Sequence, residues 1–414
     1  MPKHIARRKN KKTASAKNDL NLCIVGGAGR VGLPLGVAFA LAGVKTTLFD
    51  INEIALKQIA SGTFPFKEDH GDYNLKRAIA MNTLSVSTDP SAISRARIVM
   101  MVIGTPIDEY LNPNFHDVHN FIKKNLSYFK DGQVLIMRST IYPGTSERVQ
   151  GYFEESGKEV RVAFCPERIV EGHAFEEIKN FPQIVSAFDN ATLEVVKELF
   201  QKITKKKMVP LMPIEAELVK LFSNAWRYLQ FAVANQFFMI ATDHNLDYHK
   251  IYRAMTDGYD RCKDIPRPGF SAGPCLLKDT MQLSAFHRNN FFIGHAAMLI
   301  NEGLPSYIIK KLEAGVPDIK SKTIGILGMT FKAESDDIRD SLSFKLRKVA
   351  GTVARKVLCH DFYVNSEQFF PLKTVLEKSD IIILAAPHRG YKKIRPQKYP
   401  KKVFIDIWNF WTTP

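Results

Sequence analysis

The sequence predicts an α/β protein of two Rossmann-like, doubly wound domains joined by one long central helix. Three observations predict it. Short β-branched runs alternate with helical periods from Asn21 onward, a stretch free of Gly and Pro runs from Ile214 to Asn245, and a second strand-first block begins at Thr323.

Residues 1–19 come first and contain MPKHIARRKNKKTASAK, which has no apolar core segment. That composition predicts a disordered basic tail and lacks the apolar stretch of a signal peptide. From Asn21 the order is strand (Leu22 to Val25), helix (near Val31 to Ala42) and strand (Thr46 to Phe49). Apolar runs at Ile98 to Ile103, Val134 to Met137, Val160 to Phe164, Ile184 to Ser186 and Met208 to Leu211 extend this into an open, mostly parallel sheet. The first domain is expected over 20–210.

Ile214 to Asn245 then reads as one helix, far longer than the usual ~11 residues. A helix of that length often joins domains or subunits, and 211–315 is expected to be a helical middle. Runs at Thr323 to Leu327, Lys356 to Cys359, Ile381 to Ala385 and Val403 to Ile407 predict the strands of a last domain over 316–414.

Composition narrows the function classes. The chain has 414 residues with 45% hydrophobic content, enough for more than one buried core. Its cysteines, Cys23, Cys165, Cys262, Cys275 and Cys359, are scattered and form no CxxC pair, so neither a disulfide framework nor a metal site is expected and a reducing cytoplasm fits. The net charge of +16 is concentrated partly in the tail, which has no interleaved aromatics, so no nucleic-acid partner is expected. The longest apolar stretch, Tyr228 to Thr242, is too short to span a bilayer.

Directly after the first strand stands Gly27-Ala28-Gly29-Arg30-Val31-Gly32, and Asp50 closes the second strand 18 residues after Gly32. Gly27 is expected to make the tight turn, Gly29 to admit a pyrophosphate, and Gly32 to let helix pack on strand, with Arg30 and Val31 between them. Asp50 would bind the ribose, and its charge repels a 2′-phosphate, so NAD is the expected cofactor.

Farther on, Gly273-Pro274-Cys275 precedes Leu276-Leu277-Lys278-Asp279. Proline is suited to begin a helix, which would put Cys275 in the first turn, where amide groups and Lys278 favour a thiolate. Asp279 would share its face. On the long helix, Lys220 and Asn224 share a face with Glu217 one turn earlier. Lys220 there is half of a buried pair, part of a solvated stripe, or a cation that stabilises a developing oxyanion. Cys23 and Cys359, both within strands, read as core residues.

These residues resemble the UDP-glucose and UDP-N-acetylhexosamine dehydrogenase family from about Asn21 to Asn409. The resemblance rests on the order of motifs: Gly27 to Pro34; Thr105-Pro106; Ser139-Thr140 with Pro143-Gly144-Thr145; Pro166-Glu167 with Glu171-Gly172; Glu217, Lys220 and Asn224; Gly273-Pro274-Cys275 with Lys278-Asp279; and Phe331-Lys332 with Asp336-Asp337-Ile338-Arg339-Asp340-Ser341. It implies that 211–315 is a dimerisation domain carrying the catalytic cysteine, that the protein is a homodimer or higher homo-oligomer, and that it performs an NAD-dependent, four-electron oxidation of a UDP-sugar. The C6 alcohol is oxidised to the aldehyde, which Cys275 captures as a thiohemiacetal; a second NAD leaves a thioester, and water releases the acid.

The same resemblance implies the roles. Lys220 stabilises the oxyanion, Asp279 handles water and protons, Glu167 is the base in hydrolysis and Thr140 orients the water. Thr105, Ser139, Glu171, Lys278 and Arg339 lie near the cofactor, and Arg168, Asn224, Lys332 and Arg261 reach the sugar nucleotide, Arg261 across to a neighbouring subunit. Arg168 after Pro166-Glu167, and Pro387-His388 with Tyr391-Lys392, are similar to enzymes of amino sugars such as UDP-N-acetylmannosamine, whereas Lys278-Asp279 is similar to the glucose type. A one-step alcohol dehydrogenase and a non-catalytic nucleotide-sugar sensor are the rival readings.

Overall fold

A computed structural model describes residues 20–104, 116–270 and 273–411. The basic tail, Thr105-Pro106 and the pair Ser271-Ala272 lie outside the described residues. The first sheet runs β1 (Asn21–Val25), β2 (Lys45–Phe49), β3 (Leu84–Ser87), β4 (Ile98–Met101), β5 (Val134–Met137), β6 (Arg161–Phe164), β7 (Gln183–Ala187) and β8 (Met208–Leu211). Its order is β3-β2-β1-β4-β5-β6-β7-β8. Pairing from β3 to β6 is parallel; β7 joins β6 antiparallel and carries β8 parallel beside it.

Alternation within β1 explains why the sheet is covered on both faces. Leu22 and Ile24 enter one apolar cluster, and Cys23 and Val25 enter the other. A strand buried on both faces reads as a continuous apolar run, which is why most were legible. β3 was not, because LSVS at the sheet edge is only partly buried and needs no such run.

The second sheet, β9 (Thr323–Leu327), β10 (Lys356–His360), β11 (Ile381–Leu384) and β12 (Val403–Ile405), is wholly parallel in the order β10-β9-β11-β12. Between the sheets lies the central helix Pro213–Asp243, which opens on a proline and on Glu215 accepting the Met212 N–H at 2.8 Å. It is about 46 Å long at 1.5 Å per residue, touches β6 and β7 of the first sheet, and packs Phe238 and Met239 against the core of the last domain. Helices Leu276–Phe286 and Phe292–Gly315 pack against it. Among the described residues no helix is long and apolar enough to cross a membrane.

Candidate active site

The dinucleotide end is built at the carboxyl edge of β1. The left-handed turn falls on Gly26 (φ +80°) and not on Gly27, correcting the expected assignment. Gly27 is needed for a different reason: a Cβ there would stand 2.7 Å from that of Leu48, so the loop lies directly on β2. At Gly32 a Cβ would meet the Gly26 carbonyl at 2.3 Å, whereas at Gly29 it would meet only that carbonyl, at 3.3 Å, leaving the backbone approachable. Asp50 accepts the Ala28 N–H at 3.0 Å and the Asn52 N–H at 3.0 Å, tying β2 to the loop.

Helix Gly32–Leu41 follows with Val31 at its cap, no side chain bonding its first amides and no acid in its first turn. The Leu33 N–H is taken by the Gly29 carbonyl at 3.0 Å and Pro34 has none, so what suits a pyrophosphate is the approachable Gly29 backbone and a helix start without an acid, and with these the residues present fit NAD. Arg30 turns away toward the last domain, 2.7 Å from Asp336 and 3.7 Å from Asp337.

The loop after β5 brings Ser139 and Thr140 to the same edge. Ser139 donates to the Ile103 carbonyl at 2.5 Å. Buried Glu217, from the central helix, accepts from Gly144 N–H (2.6 Å), Ser146 N–H (2.9 Å) and Ser146 Oγ (2.5 Å), capping helix Thr145–Glu155 and fixing this loop. Burial raises its carboxyl pKa while the three donors oppose that rise.

Cys275 sits at the N-cap of helix Leu276–Phe286, one position before the expected first turn. Its carbonyl accepts the Asp279 N–H at 2.9 Å. Asp279 is fully buried, and its Oδ2 accepts from Asn224 Nδ2 at 2.5 Å and from Thr140 Oγ1 at 3.4 Å. Its Oδ1 accepts no hydrogen bond among the described residues and lies 3.6 Å from Lys278 Nζ. Three segments far apart in the chain therefore converge on one carboxylate one turn from the thiol.

The electrostatics differ from the expectation. Cys275 is open to solvent but crowded by protein, and that crowding raises its thiol pKa, with Asp279 adding to the rise and Lys220 and Lys278 opposing it. The helix terminus alone does not make a thiolate here. Cys23, Cys165 and Cys359 are buried, as core residues are, and burial pushes Cys23 and Cys165 up to about 12.

Glu171 is the meeting point with the last domain. Arg339 reaches it at 3.1 Å, Arg30 lies 3.9 Å away, and the Lys332 amine donates to its carbonyl. Burial, and then Asp337, raise the Glu171 carboxyl well above the ordinary range. Glu167 is engaged on both oxygens: Oε2 takes Arg138 at 2.6 and 2.8 Å, and Oε1 takes the N–H groups of Arg168 and Ile169 at 2.7 and 3.0 Å.

Two expected residues stand apart. The Arg168 guanidinium donates to the Pro182 carbonyl, and Arg261 lies exposed on the short turn Asp260–Cys262. Arg138 was missed; an arginine ending a fully apolar strand was the available signal that a buried partner must exist. A cavity of about 720 Å³ at the opposite edge of the first sheet, lined by Arg97, Lys158 and Arg161, includes none of the expected site residues.

Residues 20–204 match the NAD binding domain of the UDP-glucose/GDP-mannose dehydrogenase family, 214–302 its central domain and 325–413 its UDP binding domain. The chain is 26% identical over 402 residues to the UDP-N-acetyl-D-mannosamine dehydrogenase of Pyrococcus horikoshii, covering 94% of this chain and 95% of that protein. It is 22% identical to the NDP-N-acetyl-D-galactosaminuronic acid dehydrogenase of Ralstonia nicotianae, covering 95% and 97%. The solved UDP-glucose dehydrogenase of Pyrobaculum islandicum shares the fold with a TM-score of 0.86 at 23% identity, covering 96% of each chain. Three consecutive matches, in the order in which the two sheets and the helical middle occur, show that the chain belongs to the UDP-glucose/GDP-mannose dehydrogenase family of NAD-dependent nucleotide-sugar dehydrogenases.

Proposed function

We propose that this chain oxidises the C6 alcohol of a UDP-sugar to the carboxylate through a thiohemiacetal and a thioester on Cys275, with UDP-N-acetylmannosamine as the favoured substrate. The observation that carries the reading is the convergence of Asn224, Thr140 and Lys278 on Asp279, one turn from Cys275. NAD, when bound, accepts the hydride of each oxidation.

The chain's own groups do the rest. The Cys275 sulfur adds to the aldehyde carbon, forming the C–S bond while the carbonyl oxygen takes up negative charge. Lys220, whose charge is felt at Cys275 and which has no ion-pair partner among the described residues, stabilises that oxygen. After the second oxidation, water adds to the thioester, the C–S bond breaks, the thiol regains its proton and the acid leaves. Asp279 and Thr140 hold the water; Asn224 and Lys332 bind the sugar, and Ser139, Lys278 and Arg339 line the cofactor side.

A base is needed for these proton transfers. With both Glu167 oxygens occupied, we assign that role to Glu171. A raised carboxyl pKa means the base form, and with it turnover, is lost as pH falls through a window above the ordinary carboxylate range. Glu171→Gln is expected to lower turnover about 10²-fold and to remove this acid limb, whereas Glu167→Gln keeps it. An unchanged limb in Glu171→Gln rejects the assignment.

Phe222, Trp226, Val233, Phe237 and Ile240 form an exposed apolar stripe on the central helix, which supports pairing with a second copy. A monomer by light scattering counts against that pairing. The reading as a whole is tested by incubating the protein with NAD and a panel of UDP-sugars. About two NADH per UDP-N-acetylmannosamine supports it. Turnover of UDP-glucose alone keeps the chemistry and changes the sugar, the outcome that Lys278-Asp279 favours. Binding without turnover favours a sensor.

A further inference from the structure

The segment that delivers Cys275 is pinned by groups that take no part in the chemistry above. Asn235, completely buried in the central helix, meets the backbone of Gly269 on both its polar groups. Its Oδ1 accepts the Gly269 N–H at 2.8 Å, and its Nδ2 donates to the Gly269 carbonyl at 3.2 Å. Nδ2 also donates to Asn301 Oδ1 at 2.9 Å, and Asn301 Nδ2 donates to the Tyr228 carbonyl at 3.0 Å. Asn301 is buried in helix Phe292–Gly315, so the amide pair locks two helices and one loop together. One side chain thus satisfies both backbone groups of Gly269 in a dry environment, where any other pairing would leave a polar group without a partner.

The opposite side of Gly269 is covered from the last domain. A Cβ at this position would stand 2.3 Å from Cη2 and Cζ3 of Trp408 and 2.6 Å from its Cε3, so the indole lies directly on the glycine backbone. Arg267 donates to the Trp408 carbonyl at 3.3 Å. A second pin follows at Gly273, whose Cβ would stand 2.6 Å from the ring of Phe331, adjacent to Lys332. From Gly269 to Cys275 the chain advances six residues, a reach of at most about 20 Å, and the second pin is two residues from the thiol. Trp408 and Phe331 both lie in the segment that matches the UDP binding domain.

We propose that Asn235, Trp408 and Phe331 are positioning residues that make the placement of Cys275 conditional on docking of the last domain, so that UDP occupancy of that domain is read at the thiol. The glycines at 269 and 273 are required because the two rings occupy the space of a side chain. The kinetic part of the test rests on the function proposed above; the alkylation part does not.

Wild-type protein, Asn235→Ala, Trp408→Ala and Trp408→Phe are compared in two assays. In turnover with NAD and the active UDP-sugar, Asn235→Ala and Trp408→Ala are expected to lose about 10²-fold in kcat, the scale of a small misplacement, with KM for NAD unchanged. Trp408→Phe, which keeps a flat ring on Gly269, is expected to recover most of the loss. In alkylation with iodoacetamide, mapped to Cys275 by peptide mass spectrometry, UDP is expected to change the rate in wild type and in Trp408→Phe but not in Trp408→Ala. Wild-type kcat in Trp408→Ala, no UDP effect in wild type, or an equal UDP effect in Trp408→Ala overturns the proposal. If Trp408→Ala does not bind UDP and its last domain has therefore lost its fold, Phe331→Leu carries the same comparison. Absence of any turnover with an intact UDP effect on alkylation removes the proposed function and leaves the positioning device standing.

Discussion

Cys275→Ala is expected to hold the reaction before the second oxidation: at most about one NADH per sugar, no uronic acid released, and overall turnover lower by on the order of 10³-fold or more. The reason is chemical. A nucleophile must add to the aldehyde carbon before its remaining C–H can leave as hydride, and the thiohemiacetal on Cys275 is that adduct, its oxygen re-forming the carbonyl of the thioester as the hydride departs. Quantifying NADH against acid product in one reaction checks it; two NADH and full acid release from the alanine variant would remove Cys275 from the mechanism. A companion variant separates charge from position. Burial and then Asp279 raise the Cys275 thiol pKa, so Asp279→Asn is expected to lower it and speed alkylation at neutral pH, while turnover falls because the water and proton path is lost. Slower alkylation in that variant would show that Asp279 does not oppose the thiolate.

Arg138→Met is expected to cost about 3–5 kcal/mol of stability, the scale for stranding a buried carboxylate without its cation. Arg138 is 1% exposed, holds Glu167 through two nitrogens, and also donates to the Cys165 carbonyl at 3.0 Å and to Gln183 at 3.2 Å. Its guanidinium also lies 4.8 Å from the centre of the Phe200 ring. Arg138→Met with Glu167→Gln is expected to regain part of the loss, because the stranded charge disappears while the Arg168 and Ile169 amides keep an acceptor. Thermal unfolding of the single and double variants checks this. Equal loss in both would mean that packing of the arginine, not its charge, is what matters.

Much of this molecule is legible along the chain. Strands β1, β4 and β5 announce themselves because burial on both faces demands unbroken apolar runs, and β3 escapes because an edge strand has no such demand. The glycine fingerprint is readable by position, after a strand and before a helix, although the residue in the left-handed turn proved to be Gly26, outside the quoted motif. Cys275 was flagged by Gly-Pro ahead of a helical pattern, and the shift from first turn to N-cap is the ordinary imprecision of a helix boundary.

The sequence by itself determined the two strand-first blocks, the long intervening helix, the glycine-rich turn between β1 and its helix, and the order of motifs, because each follows from local periodicity or from a residue's own backbone limits. Only the tertiary structure decided which charges meet. Arg30 pairs with Asp336 across 306 residues of chain, Thr140 reaches Asp279 across 139, and Arg138 closes on Glu167 across 29. A side chain's periodicity states which face it occupies; its partner is set by which other faces the packed sheets and helices bring within about 4 Å, where burial strengthens each pairing and penalises each omission.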